Sequence, residues 1–157
     1  LYGGFKGELA KGLAYDVGVL NYWYPNAVTA AWSAIPYANP NTTELYGALT
    51  FGPATLKYSH SVTNLFGFAD SKSSGYLDLN ATFDVGGFSV TPHIGRQTVK
   101  NNSAANYTDF SLTVSKDIGN GIVLSGTIVD TDTAAYVGAG GKDLGKSGIV
   151  LGAKINF

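Results

Sequence analysis

The sequence predicts an all-β fold: an antiparallel, up-and-down transmembrane β-barrel. Three observations predict it. The first is the final segment, 147–157, which reads SGIVLGAKINF. Stepping back by two from its end gives Phe157, Ile155, Ala153, Leu151 and Ile149, all apolar. The intervening Asn156, Lys154, Gly152 and Gly148 are polar or small, with Val150 the exception. A period of two marks a strand with one apolar and one polar face, and about ten residues suffice for a tilted strand to cross a bilayer. The second observation is a strict alternation of short and long connections along the chain, the pattern of barrels with short turns at one rim and longer loops at the other. The third is composition. Only 13% of the residues are charged, whereas ten Tyr, eight Phe and 21 Gly crowd a chain of 157 residues.

Composition also excludes. A net charge of -1 offers no attraction for nucleic acid. Without Cys there is neither a disulfide framework nor a thiolate metal site, and two His supply a metal centre poorly. No run of 18 apolar residues exists, so no helical membrane span is expected. Neither a metal nor a cofactor is expected.

Nine strands follow in order, at about 1–9, 13–24, 44–51, 54–63, 75–83, 88–99, 107–116, 122–130 and 147–157. They form one barrel domain spanning 1–157. Gly and Pro place tight turns at 10–12, 52–53, 85–86 and 117–121. The connections 25–43, 64–74, 100–106 and 131–146 are long. Around 52–53, Phe51 should face Ala54, Leu49 face Leu56 and Gly47 face Tyr58 on the apolar side, with Tyr58 covering Gly47. The polar side pairs Thr50 with Thr55, Ala48 with Lys57 and Tyr46 with Ser59. Around 85–86 the apolar pairs are Phe83–Phe88, Ala81–Val90 and Leu77–Ile94, and the polar pairs include Asn80–Thr91 and Asp78–His93. A slip of one residue would put Lys57 into lipid, at a cost of about 2–4 kcal/mol at the midplane. Phe51, Phe83, Phe157 and Trp23 sit where interfacial aromatic girdles belong. His60 shares a face with Tyr58 and Val62, which puts it on the lipid side near the outer rim in the neutral form. Pro92, unable to donate to a ladder, predicts a bulge or kink. Nine strands leave the two termini at opposite rims, so an odd number of further strands is expected before Leu1.

The segments LYGGFKGEL, YDVGVLNYWYPN and NTTELYGALTFGPATLKYSHSVTNLFGF, with SKSSGYLDLNATFDV, HIGRQTVKNN, YTDFSLTVSKDI and GKDLGKSGIVL, resemble the TorF family of proteobacterial porins over nearly the whole chain. The resemblance implies a signal peptide, about three further N-terminal strands for a total of about twelve, and a place in the Gram-negative outer membrane. It supplies no catalytic residues. The partners it implies are outer-membrane lipids and lipopolysaccharide, small solutes, and the barrel assembly machinery, which would read Phe157 as a signal. A homo-oligomer or larger complex is compatible with it.

The expected role is transport: a narrow passive pore for small hydrophilic solutes, its lumen lined by Lys6, Glu8, Asp16, Lys57, Asp78, His93, Asp109 and Lys154, with Glu44 near the outer mouth. A barrel of ten to twelve strands lies between a filled core and an open channel. The competing expectation is therefore a non-conducting structural or partner-binding barrel whose charges pair across the wall. A lipid-modifying enzyme ranks below both, because His60 has no Ser on its face. Asp78 opposite His93 could sense pH, although an ordinary cross-strand polar pair is the commoner meaning. Asp130 and Asp132 could hold a loop Ca²⁺, although acidic turn residues usually only shape turns.

Overall fold

Alternating apolar and polar residues, rich in β-branched and aromatic types, favour extended backbone whose two faces differ. Glycines with positive φ supply the reversals. The computed structural model describes residues 1–25 and 38–156, and in them the strands are β1 (Tyr2–Ala10), β2 (Leu13–Tyr22), β3 (Thr42–Phe51), β4 (Ala54–Ser61), β5 (Gly75–Ala81), β6 (Phe83–Val85), β7 (Phe88–Thr98), β8 (Tyr107–Gly119), β9 (Ile122–Thr131) and β10 (Gly148–Ile155). All join one antiparallel sheet in the order β1-β2-β3-β4-β5-β7-β8-β9-β10, with β6 pairing β7. The all-β antiparallel fold read from the sequence is the one observed. β1 and β10 are its two edges, so these strands alone do not close into a barrel. Phe157 and residues 26–37 of the first long connection lie outside the described residues.

The rims differ as expected. One carries two-residue turns: Lys11–Gly12, Gly52–Pro53, Gly86–Gly87 and Asn120–Gly121. At the other rim lie the connections 62–74, 99–106 and 132–147, with the described ends, 23–25 and 38–41, of the connection between β2 and β3. Gly86 and Gly87 both have positive φ, +61° and +78°, as a type I′ hairpin requires.

The register around 52–53 is the predicted one, with Phe51↔Ala54, Leu49↔Leu56, Gly47↔Tyr58 and Ala48↔Lys57. Around the next turn it differs by two. The reversal is at Gly86–Gly87 rather than 85–86, so Phe83 faces Val90, Leu79 faces Ile94 and Asn80 faces His93. A shift of two preserves every face and changes only the neighbours. Pro92 makes no bulge, because β7 runs through it in unbroken register with β8. The ladder on its other side breaks instead. Thr82, between β5 and β6, lies opposite Thr91 beside the proline, and a 2.9 Å bond between the two hydroxyls spans the gap. Bulges occur at Glu8/Ala10 and Asp117/Gly119, next to turns. Tyr58 covers Gly75 rather than Gly47, since a Cβ at Gly75 would strike the phenol ring. His60 lies between Leu45 and Gly75 on the apolar face, 6.3 Å from the Tyr58 ring.

The faces are inverted relative to a water-soluble sandwich. The apolar face is the exposed one: Leu151 is 82% exposed, Ile149 75% and Phe51 69%. The polar face is partly covered, with the Asp78, His93 and Asp109 side chains only 19%, 17% and 22% exposed. Among the described residues, the buried apolar side chains are Leu65, Val99 and Ala105, all in the long connections, and Phe68 and Tyr136 pack on them. The small hydrophobic core therefore sits at the long-loop rim, not on the sheet.

Candidate functional site

Strand parity puts the predicted charges on one face, and register then sorts them by height. Following directly opposed residues from strand to strand gives Lys6, Asp16, Ala48, Lys57, Asp78, Gly95, Asp109 and Thr131 on a single cross-strand row. Five of the eight predicted lining residues thus form one belt across the polar face. His93 belongs to the next row toward the short turns, between Asn80 and Ser111. Glu8 and Lys154 stand apart. Glu8 accepts a 3.0 Å hydrogen bond from the Gly12 amide and so ties down the first turn, while Lys154 lies exposed on the edge strand opposite Val123.

The row above the belt contains Gly4, Gly18, Tyr46, Ser59, Tyr76, Gln97 and Tyr107. Two of its tyrosines, Tyr46 and Tyr76, reach the charges through spaces that glycine leaves. Tyr46 donates to Asp16 Oδ1 at 3.0 Å, and its hydroxyl lies 2.8 Å from where a Gly18 Cβ would stand. Tyr76 donates to Asp109 at 3.0 Å, over Gly95. A Cβ at Gly95 would come within 2.6 Å of Asp109 Oδ2 and closer still to the Tyr76 hydroxyl.

The densest polar cluster surrounds His93. Its Nε2 lies 2.6 Å from Asp78 Oδ2 and its Nδ1 lies 3.5 Å from Asp109 Oδ1. Asn80 donates to Asp78 Oδ1 at 2.8 Å. The predicted association of Asp78 with His93 therefore exists, but diagonally: Asp78 is directly opposed by Gly95, a consequence of the two-residue register difference. An ionised carboxylate is acceptor-only, so each donor that reaches it satisfies a lone pair that a partly dry wall would otherwise leave bare. Lysine takes another route. Lys57 Nζ sits 4.5 Å above the Tyr46 ring centroid. Among the described residues no lysine lies within 4.0 Å of a carboxylate, and the ion pairs are those of His93 and one between Arg96 and Asp132 at 3.7 Å.

Two cavities open on this face. One of about 470 Å³ lies under the last long connection, against His93, Tyr107, Asp109, Thr131 and Tyr136. The other, about 300 Å³, is lined by Glu44, Lys57, Tyr76, Asp78 and Gln97. Tyr107 borders both. Above them the connections tie together: Asn101 and Asn102 donate to the Asp70 and Ala69 carbonyls, and Tyr136 donates to the Ala105 carbonyl at 2.8 Å. Burial, and secondarily the neighbouring Tyr107, push the Tyr136 phenol up to about 12. Asp132 accepts the Thr108 amide at 2.6 Å, which holds its carboxyl below the usual aspartate range.

Tyr46 is on the polar side in the sequence reading, paired with Ser59 as observed, but Tyr76, Tyr107 and Gly95 were missed, although a signal was there. Tyr-x-Asp occurs at 76–78 and again at 107–109, and parity puts both members of each pair on one face.

A family model described as "Bacterial protein of unknown function (Gcw_chp)" matches residues 1–157. No curated protein and no solved structure matches the chain.

Proposed function

Since the chain belongs to the Gcw_chp family, whose description assigns no activity, the site has to supply the reading, and we propose that the protein is an outer-membrane β-barrel that acts as a narrow passive pore for small hydrophilic solutes. The inverted sheet carries this reading. A wall of Leu, Ile, Val and Phe side chains left uncovered suits contact with lipid, and a charged, partly covered opposite face suits a wet lumen. The sheet edges β1 and β10 need partners in a bilayer, because unpaired backbone polar groups are not tolerated there. Further strands of the same protein would close the barrel, as the resemblance to TorF porins implies. Lipids and lipopolysaccharide would surround it, and the assembly machinery would read Phe157. Neither catalysis nor a cofactor enters this reading. Lys57, with no carboxylate within 4.0 Å among the described residues, would stand in the path of passing ions.

Conductance of the full-length protein in a planar bilayer tests it. In a salt gradient, Lys57→Glu should move the reversal potential toward cation preference. The change should shrink at 1 M salt, where the Debye length falls from about 10 Å at 0.1 M to about 3 Å. Absence of current, or unaltered selectivity in Lys57→Glu, would sink the pore reading. A non-conducting, partner-binding barrel would then stand in its place. The loop core of Leu65, Val99 and Ala105 favours that second reading, because it lies at the rim where a mouth would open.

A further inference from the structure

The larger cavity combines three properties that solute passage alone does not require. Tyr107 and Tyr136 form part of its wall, their ring centroids 5.6 Å apart and their planes at 87°. In such an edge-to-face pair, one ring presents its edge and keeps its own faces free. Asp109 supplies a carboxylate, whereas the Asp130 side chain, opposite Phe110 in the register, lies on the other face of the sheet and accepts from Ser147 at 2.9 Å. No lysine or arginine is among the lining residues.

His93 does not cancel this charge. Its Nε2 is held by Asp78 at 2.6 Å, whereas its Nδ1 stands 3.5 Å from Asp109. Any charge on the ring is matched first by Asp78, which leaves the Asp109 carboxylate to the cavity. The Tyr76 hydroxyl occupies one region of that carboxylate, which has room for further donors. About 470 Å³ is the size of a small-molecule site.

From this geometry we infer that the cavity is a binding site for small organic cations, an ammonium group paired with Asp109 and an apolar body against the Tyr107 and Tyr136 rings. The carboxylate selects positive charge over an isosteric neutral or anionic group, and the rings take the apolar body whatever its charge. The inference deepens the pore reading by naming a solute class, and rests on it only for biological meaning, since binding needs no current.

The test is isothermal titration calorimetry on the detergent-solubilised, heat-modifiable full-length barrel, with three probes of one shape: benzylammonium, benzyl alcohol and benzoate. Benzylammonium should bind at least about tenfold more tightly than the other two, the size of a hydrogen bond to a charged group. Asp109→Asn should abolish that preference. Tyr136→Leu should weaken the amine and the alcohol alike while preserving their ratio. Equal affinity for amine and alcohol, tighter binding of benzoate, or an unchanged preference in Asp109→Asn would each overturn the inference. If Asp109→Asn does not fold, the ratio measured on the parent protein and on Tyr136→Leu decides. A silent bilayer with intact amine binding would sink the pore and leave the site. Current without amine preference would do the reverse.

Discussion

Gly95 shows how one missing side chain organises the polar face. Tyr76 and Asp109 meet in the volume a Cβ would take, and the hydroxyl then reaches a carboxylate two strands away. Gly95→Ala must push one of them aside, and overpacking of this kind costs about 1–3 kcal/mol. Gly47 is the control, because a Cβ there would meet only the Val17 Cγ1 at 3.8 Å. Urea unfolding of the barrel in lipid vesicles should show a lower midpoint for Gly95→Ala and almost none of that loss for Gly47→Ala. Equal losses would mean that the penalty reflects strand flexibility rather than the Tyr76–Asp109 contact. Parity in the sequence located Lys6, Asp16, Lys57, Asp78, His93 and Asp109 on one face. It could not reveal that five of the charges share a row, because height depends on the register of every intervening hairpin.

Among the elements, the turns were the most legible and the long connections the least. Gly52–Pro53 reads directly as a two-residue reversal, and its hairpin register follows. At the next hairpin, two adjacent glycines offered two reversals, and the type I′ geometry of Gly86–Gly87 decided between them. The loop core was invisible because Leu65 and Ala105 come from connections with no periodicity, and Val99, read as the end of a strand at 88–99, lies just past the observed end of β7 at Thr98. Their packing has a consequence for Tyr136. Its phenol is favoured in the neutral form when folded, so this contribution is complete below the ordinary tyrosine value of 10.0 and is lost as pH rises through about 12. The difference in tyrosinate absorbance between the parent protein and Tyr136→Phe should titrate at about 12; a midpoint near 10 would show the ring uncovered. Asp132 has the opposite sign. A carboxyl held below 3.8 contributes above that pH and loses its contribution as pH falls through its lowered value. The Thr108 amide resonance should accordingly stay nearly constant from pH 7 to 5 and titrate with a midpoint below 3.8, and Asp132→Asn should remove that titration. A shift between pH 7 and 5 would contradict the 2.6 Å bond.

For the whole molecule, the proposed orientation puts the long connections outside the cell and the tight turns in the periplasm. Single cysteines at Ser103 and Ala134, both exposed, should react with an impermeant maleimide on intact cells, while one at Gly86 should not. Labelling at Gly86 would invert the assignment. Deleting Phe157 should lower the yield of heat-modifiable barrel in cells, and an unchanged yield would reduce that residue to ordinary lipid contact. The sheet order has a kinetic meaning as well. Apart from β6, which extends the line of β5, every strand is bonded to its neighbours in sequence. Each ladder therefore closes a loop no longer than one connection, so the entropy lost at each step is small. Such a sheet can grow strand by strand like a zipper, and in the proposed barrel the pairing of β10 with the further strands is the one event that must join distant parts of the chain. Contacts of that kind set the pace of folding. Lengthening a long connection should therefore slow refolding of the full-length protein into vesicles only slightly, whereas a change that weakens the β10 edge should delay the final, closing phase.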